Sequence, residues 1–136
     1  MSPADPTNNL PIASQEDVVL VRQAVRKASV ELGLNLVDQT KIITAASELA
    51  RNAFIHGGGG RVLIEQVHEA DRKGLRLTFT DQGPGIPDIE KALKDGYTSG
   101  NGLGLGLGGA KRLSNDFSIR SEVGKGTQII ITRWKG

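Results

Sequence analysis

The 136-residue sequence contains no cysteine, which excludes disulfides, cysteine-ligated zinc and thiol nucleophiles. It also has no apolar run near the roughly 20 residues that span a bilayer, so no membrane association is expected. The opening stretch MSPADPTNNLP carries no basic residue and no apolar stretch of signal-peptide length, which points to a cytoplasmic protein. Charge is nearly balanced: 17 Lys and Arg face 15 Asp and Glu. That is too mild to argue for nucleic acid, and none is expected as a partner. The balance tips only from Lys111 onward, where Lys111, Arg112, Arg120, Lys125, Arg133 and Lys135 outnumber Asp116 and Glu122. Such a local positive field suits phosphate or an acidic partner, or is an ordinary solvated face.

Glycine is in excess: 18 residues, about twice the usual share of roughly 7%. Thirteen of them lie in three clusters, at Gly57 to Gly60, at Gly83 and Gly85, and between Gly96 and Gly109. A collagen repeat or a flexible linker would spread them evenly, so the clustering speaks against both. The length suits one domain with a real core. Residues 1–10 read as a disordered lead-in and residues 11–136 as a single domain.

Ser14-Gln15-Glu16-Asp17 is a capping-box-like start, and Val18, Val21, Val25 and Ala28 follow at helical spacing up to a stop at Gly33. A second helix is expected from Val37 to Ile55, with Ile42, Ile43, Ala46, Leu49, Ala50 and Ala53 as its buried stripe. Arg61 to His68 alternates as a strand, and Leu75, Leu77 and Phe79 alternate with Arg76, Thr78 and Thr80 as another. Asp71-Arg72-Lys73-Gly74 is the expected turn between them. A short helix is expected at 88–95 and another at 105–115. Strands 117–123 and 127–134 then form a hairpin about Gly124-Lys125-Gly126. The expectation is an α+β fold, a two-layer α/β sandwich with helices on one face of a mixed, mainly antiparallel sheet.

Four motifs could carry chemistry. Glu48 and Asn52 are four apart in the second helix and so project from one face, where an amide oxygen could hold Mg²⁺ and a carboxylate could accept a proton. The alternative is plain helix surface. Asp81-Gln82-Gly83-Pro84-Gly85 follows a strand, and Asp81 continues the inward series Leu75, Leu77, Phe79. A carboxylate aimed inward needs a donor, and the exocyclic amine of adenine is one; an Asx-type turn is the other reading. The run from Gly100 to Gly109 can turn backbone N–H groups toward phosphates ahead of a helix N-terminus, or can be a flexible surface loop. It follows no strand, so it is no Rossmann fingerprint, and it lacks the Gly-Lys-Ser/Thr ending of a Walker loop. In Gly124-Lys125-Gly126-Thr127, the Thr127 hydroxyl could reach a base or a bound water.

The order E-x-x-x-N, D-x-G-x-G, G-x-G-x-G, G-x-G-T resembles the nucleotide-binding boxes of the superfamily that joins gyrase, Hsp90, histidine kinases and mismatch-repair ATPases, the Bergerat-fold or GHKL ATPases. The resemblance spans residues 12–135, leaving no room for the dimerisation helices and phospho-acceptor histidine of a histidine kinase. The runs Val37-Asp38-Gln39, Ser47 to Asn52, Gly60 to Val67, Asp81 to Ile89 and Lys111-Arg112-Leu113 look like the RsbT-type serine/threonine switch kinases of the bacterial stressosome. That resemblance implies ATP and Mg²⁺ as cofactors, with Asn52 on the metal and Glu48 as catalytic base. It implies Asp81 on the adenine amine, Gly85 beneath the base, and Gly102, Gly104 and Gly106 around the phosphates. Gly83, Ile86, Leu103, Leu105, Lys111 and Thr127 complete the implied nucleotide site. The implied partners are STAS-domain substrates and a PP2C-type phosphatase activated on release. The alternative is an anti-sigma factor of the same superfamily that sequesters a sigma factor. A non-catalytic nucleotide sensor is disfavoured by the joint presence of Glu48, Asn52 and Asp81. Gly108 stands where close relatives are expected to carry proline, which should loosen the lid.

Overall fold

A computed structural model describes residues 9–93 and 106–135. The elements run β1 (Asn9–Ile12), α1 (Gln15–Leu32), α2 (Leu36–Ile55), β2 (Gly60–Glu69), β3 (Arg72–Asp81), α3 (Ile89–Ala92), α4 (Gly106–Arg112), β4 (Asp116–Glu122) and β5 (Gly126–Trp134). The strands form one sheet in the order β1-β2-β3-β5-β4. Every ladder is antiparallel, where a mixed sheet had been expected. The helices lie on one face, so the two-layer α+β architecture holds.

Local chemistry sets the helix limits. Ser14 caps α1 by accepting from the Asp17 N–H at 3.2 Å, and Gly33 at φ 90° closes it. Asn35 caps α2 through the Asp38 N–H at 2.8 Å. Each helix then buries one stripe, Val18, Val21, Val25 and Leu32 from α1, and Ile42, Ile43, Ala46, Leu49, Ala50 and Ala53 from α2. These pack on the inward residues of the sheet, with Val62 and Ile64 from β2, Leu75, Leu77 and Phe79 from β3, and Ile129 and Ile131 from β5. At roughly 1.5–3 kcal/mol per fully buried aliphatic side chain, this layer is the main favourable term in folding.

Four differences from expectation have physical causes. Strand β1 starts at Asn9, inside the segment read as lead-in, and pairs along β2 from Asn9↔Leu63 to Ile12↔Gly60. Its Pro11 is tolerated because β1 is an edge strand. The β2–β3 turn is Ala70-Asp71, with Ala70 at φ 54°, and not the segment 71–74. Gly74 instead lies within β3, where a Cβ would fall 2.6 Å from the Trp134 ring; that ring also carries the Arg72 guanidinium at 4.0 Å. Gly108, expected to loosen a lid, is a buried helical residue of α4, which packs on α2. The short helix keeps Asp88 as its cap, through the Lys91 N–H at 3.0 Å, and covers Ile89–Ala92.

Candidate functional site

The sheet register builds the site. Down the helix-facing side, one rung reads Val62, Phe79, Ile129, Ile119 and the next reads Gly60, Asp81, Thr127, Ser121. At the end of the sheet the inward face therefore changes from aliphatic to polar across four adjacent strands. Directly opposed residues of neighbouring strands hold their Cβ atoms about 4.5–5.5 Å apart, so Asp81, Thr127 and Ser121 form a contiguous polar strip.

Asp81 is half-buried, and its Oδ1 accepts from the Gly83 N–H at 2.9 Å. The Asx-type turn and the inward-facing carboxylate are thus one feature: one oxygen shapes the loop and the other is turned toward α2. The chain just past the end of α2 yields to that carboxylate. A Cβ on Gly57 would stand 2.5 Å from the Asp81 Cγ and 2.7 Å from Oδ2, and a Cβ on Gly83 would stand 2.6 Å from the Gly57 Cα. Gly57, which the sequence marks only as one of a cluster of glycines, is the position that makes room for Asp81.

The loop after β3 is anchored to the β4–β5 hairpin. The Gly124 N–H donates to the Pro84 carbonyl at 2.8 Å, and the Ile86 N–H donates to Ser121 Oγ at 2.8 Å. Gly85, at φ 81°, is confined on its Cβ side by the Glu122 carbonyl and the Val123 Cα, so packing of two backbones requires glycine there. Ser121 Oγ also contacts Thr127 Oγ1 at 2.8 Å and the Gly126 carbonyl at 3.2 Å.

On α2, the helix that packs against β3, Glu48 and Asn52 are half-buried one turn apart. The Asn52 side-chain amide has no hydrogen-bond partner among the described residues, whereas its backbone carbonyl accepts from the His56 and Gly57 N–H groups. Glu48 Oε1 accepts from the Gly106 N–H at 3.1 Å, which brings the first residue of α4 to the candidate base. Gly102, Leu103, Gly104 and Leu105 lie outside the described residues. Lys111 is exposed in the last turn of α4, and no hydrogen bond ties it to the other site residues among those described.

The basic segment resolves differently from a free positive field. Arg133 is 13% exposed and holds Asp38 Oδ1 through Nη2 at 2.7 Å and Nε at 3.1 Å, while Nη1 reaches the Leu113 carbonyl at 3.2 Å. It binds together the start of α2, the end of α4 and β5. Sequence reasoning also missed Ser121. Its signal was parity, because Phe117, Ile119 and Ser121 share the inward face of β4.

A strip with an inward carboxylate and a hydroxyl, roofed by a helix bearing Glu and Asn, defines a class. The chain belongs to the histidine kinase-, DNA gyrase B- and HSP90-like ATPase family, which matches residues 37–135. It is 48% identical over 123 residues to the serine/threonine-protein kinase RsbT of Bacillus subtilis (strain 168), covering 90% of this chain and 92% of that one. The anti-sigma F factor of Clostridium acetobutylicum is 36% identical over 128 residues, covering 90% and 88% respectively. Among solved structures, the RsbU and RsbW domains of a Mycobacterium tuberculosis protein superpose with a TM-score of 0.64 at 23% identity. The match covers 94% of this chain but only 32% of that one. The catalytic domain of histidine kinase ThkA gives 0.57 at 19% identity, covering 93% and 95%. These structural likenesses speak to the fold alone. The resemblance to RsbT-type serine/threonine kinases, and with it the expectation of a protein kinase, is borne out by the sequence relationship.

Proposed function

We propose that the chain is an ATP- and Mg²⁺-dependent protein serine/threonine kinase that phosphorylates STAS-domain partners in a stress-signalling partner switch. On release from those partners it activates a PP2C-type phosphatase. It acts in the cytoplasm, as a single kinase domain. The observation that carries the nucleotide reading is the polar strip, with Asp81 and Thr127 side by side beneath the helix that bears Glu48 and Asn52.

Asp81 Oδ2 accepts from the adenine amine while Gly83 holds Oδ1, and Gly85 and Ile86 line the base. By the family resemblance Gly102, Gly104 and Gly106 surround the phosphates and Lys111 adds positive charge. Asn52 fits Mg²⁺: its half-buried amide oxygen is uncommitted among the described residues, and this cation is commonly held by one or two protein oxygens plus substrate phosphates. Bound there, Mg²⁺ supplies neutralisation of phosphate charge. Glu48 takes the proton of the acceptor Ser or Thr hydroxyl as its oxygen bonds the γ-phosphorus. The bond from that phosphorus to the β–γ bridging oxygen breaks, and ADP leaves.

Incubation with labelled ATP, Mg²⁺ and candidate STAS proteins tests this. Label transfer to Ser or Thr is expected, and its absence with every STAS protein would overturn the substrate class. The similarity to an anti-sigma F factor supports a second reading, in which the chain sequesters a sigma factor and its kinase activity resets the complex. A pull-down separates the two, because the first expects STAS proteins and a phosphatase in the eluate and the second a sigma factor.

A further inference from the structure

Ser121 sits at the junction of three polar contacts. The Ile86 N–H donates to its Oγ at 2.8 Å, the Gly126 carbonyl lies at 3.2 Å, and Thr127 Oγ1 lies at 2.8 Å. A hydroxyl has one hydrogen and two lone pairs. One lone pair is taken by Ile86. If the hydrogen goes to Gly126, the second lone pair is left for Thr127, which must then be the donor of their shared bond. Only in this arrangement are all three contacts hydrogen bonds. It leaves Thr127 with its hydrogen engaged and only lone pairs to offer a ligand.

Across the strand pair stands Asp81, whose carboxylate also offers only lone pairs. Two adjacent acceptors complement a group that carries two hydrogens, the exocyclic amine of a 6-aminopurine. They oppose a 6-oxopurine, whose carbonyl oxygen would meet lone pairs without a donor. We infer that Ser121 is a specificity-determining positioning residue: by engaging the Thr127 hydrogen it makes the strip select amino over oxo purine nucleotides. The inference rests on the proposed seating of the base against Asp81.

The test compares binding of ATP and inosine triphosphate, which share ribose and phosphates and differ at the purine 6-position, by titration calorimetry on the full chain. Wild type is expected to prefer ATP. Ser121→Ala releases the Thr127 hydrogen to the ligand, and the ATP-to-inosine-triphosphate affinity ratio is expected to fall about tenfold, chiefly through tighter inosine triphosphate binding. A merely structural role would weaken both nucleotides alike and leave the ratio unchanged. Ser121→Cys keeps the side-chain size but accepts only weakly, so it should lower the ratio too if the alanine variant fails to fold. With Thr127→Val as background, Ser121→Ala should no longer move the ratio. A wild type that does not bind ATP would refute the nucleotide site itself. A wild type that prefers ATP, with an unmoved ratio in Ser121→Ala and Ser121→Cys, would overturn the role of Ser121 alone.

Discussion

Replacing Gly57 with alanine should injure the nucleotide site more than the fold. The added Cβ would lie 2.5 Å from the Asp81 Cγ and 2.8 Å from the Ala53 carbonyl oxygen, roughly 1 Å inside ordinary carbon contact. The Ala53 oxygen belongs to the backbone of a packed helix, so the Asp81 side chain is the group that must yield. Overpacking of this kind costs about 1–3 kcal/mol, and it breaks the bond from the Gly83 N–H that fixes Oδ1. A displaced carboxylate forfeits a charged hydrogen bond to the ligand worth about 1.5–3 kcal/mol, which lowers ATP affinity by one to two orders of magnitude. The neighbouring Gly58 is the control. It sits at φ 72°, and a Cβ added there would meet nothing within 4 Å, so Gly58→Ala strains the backbone by about 1–2 kcal/mol without touching Asp81. Calorimetry with ATP and thermal unfolding of both variants separate the effects: Gly57→Ala should lose affinity, and Gly58→Ala should lose only stability. Wild-type affinity in Gly57→Ala, or an equal loss in both, would refute the reasoning.

Three further substitutions test the remaining parts. Asp81→Asn keeps the shape and an oxygen for the Gly83 N–H, so circular dichroism should be unchanged while ATP binding is lost; retained affinity would remove Asp81 as the amine acceptor. Glu48→Ala should bind ATP but transfer phosphate about 10²- to 10⁴-fold more slowly, and wild-type turnover in single-turnover assays would exclude Glu48 as the base. Arg133→Met strands the Asp38 carboxylate, which is 13% exposed, and should cost about 3 kcal/mol in urea unfolding. Adding Asp38→Leu should restore most of that stability, whereas a cost under about 1 kcal/mol would reduce the bridge to an ordinary surface pair.

What was legible in the sequence was what local chemistry encodes. Ser14 and Gly33 delimit α1 as their residue types dictate, and the alternation of Leu75, Leu77 and Phe79 extends to Asp81 as expected. The resemblance of the ordered motifs added the family. What stayed hidden depends on partners distant in the chain. Four residues of β1 have too little pattern to register as a strand, and β2 supplies their hydrogen bonds. Gly74 resembled a turn glycine, but the Trp134 ring across the sheet is what requires it. Gly57 and Ser121 act on Asp81 and Thr127 through contacts that no spacing rule reports.

The core and the site share one parity, which ties specificity to folding. Phe79, Ile129 and Ile119 pack beneath the helices because they alternate inward, and the same alternation turns Asp81, Thr127 and Ser121 inward one rung later. A one-residue slip of either hairpin would reverse both sets together, exposing the apolar rung and pointing the polar strip away from α2. The register is therefore held at both ends. The Ala70-Asp71 turn fixes β2 against β3, and the Val123-Gly124-Lys125 turn fixes β4 against β5. Hydrophobic burial over the aliphatic rungs supplies the energy that keeps a carboxylate and two hydroxyls aligned where water alone would not order them. Thus the aliphatic residues of the sheet determine which way Asp81, Thr127 and Ser121 point.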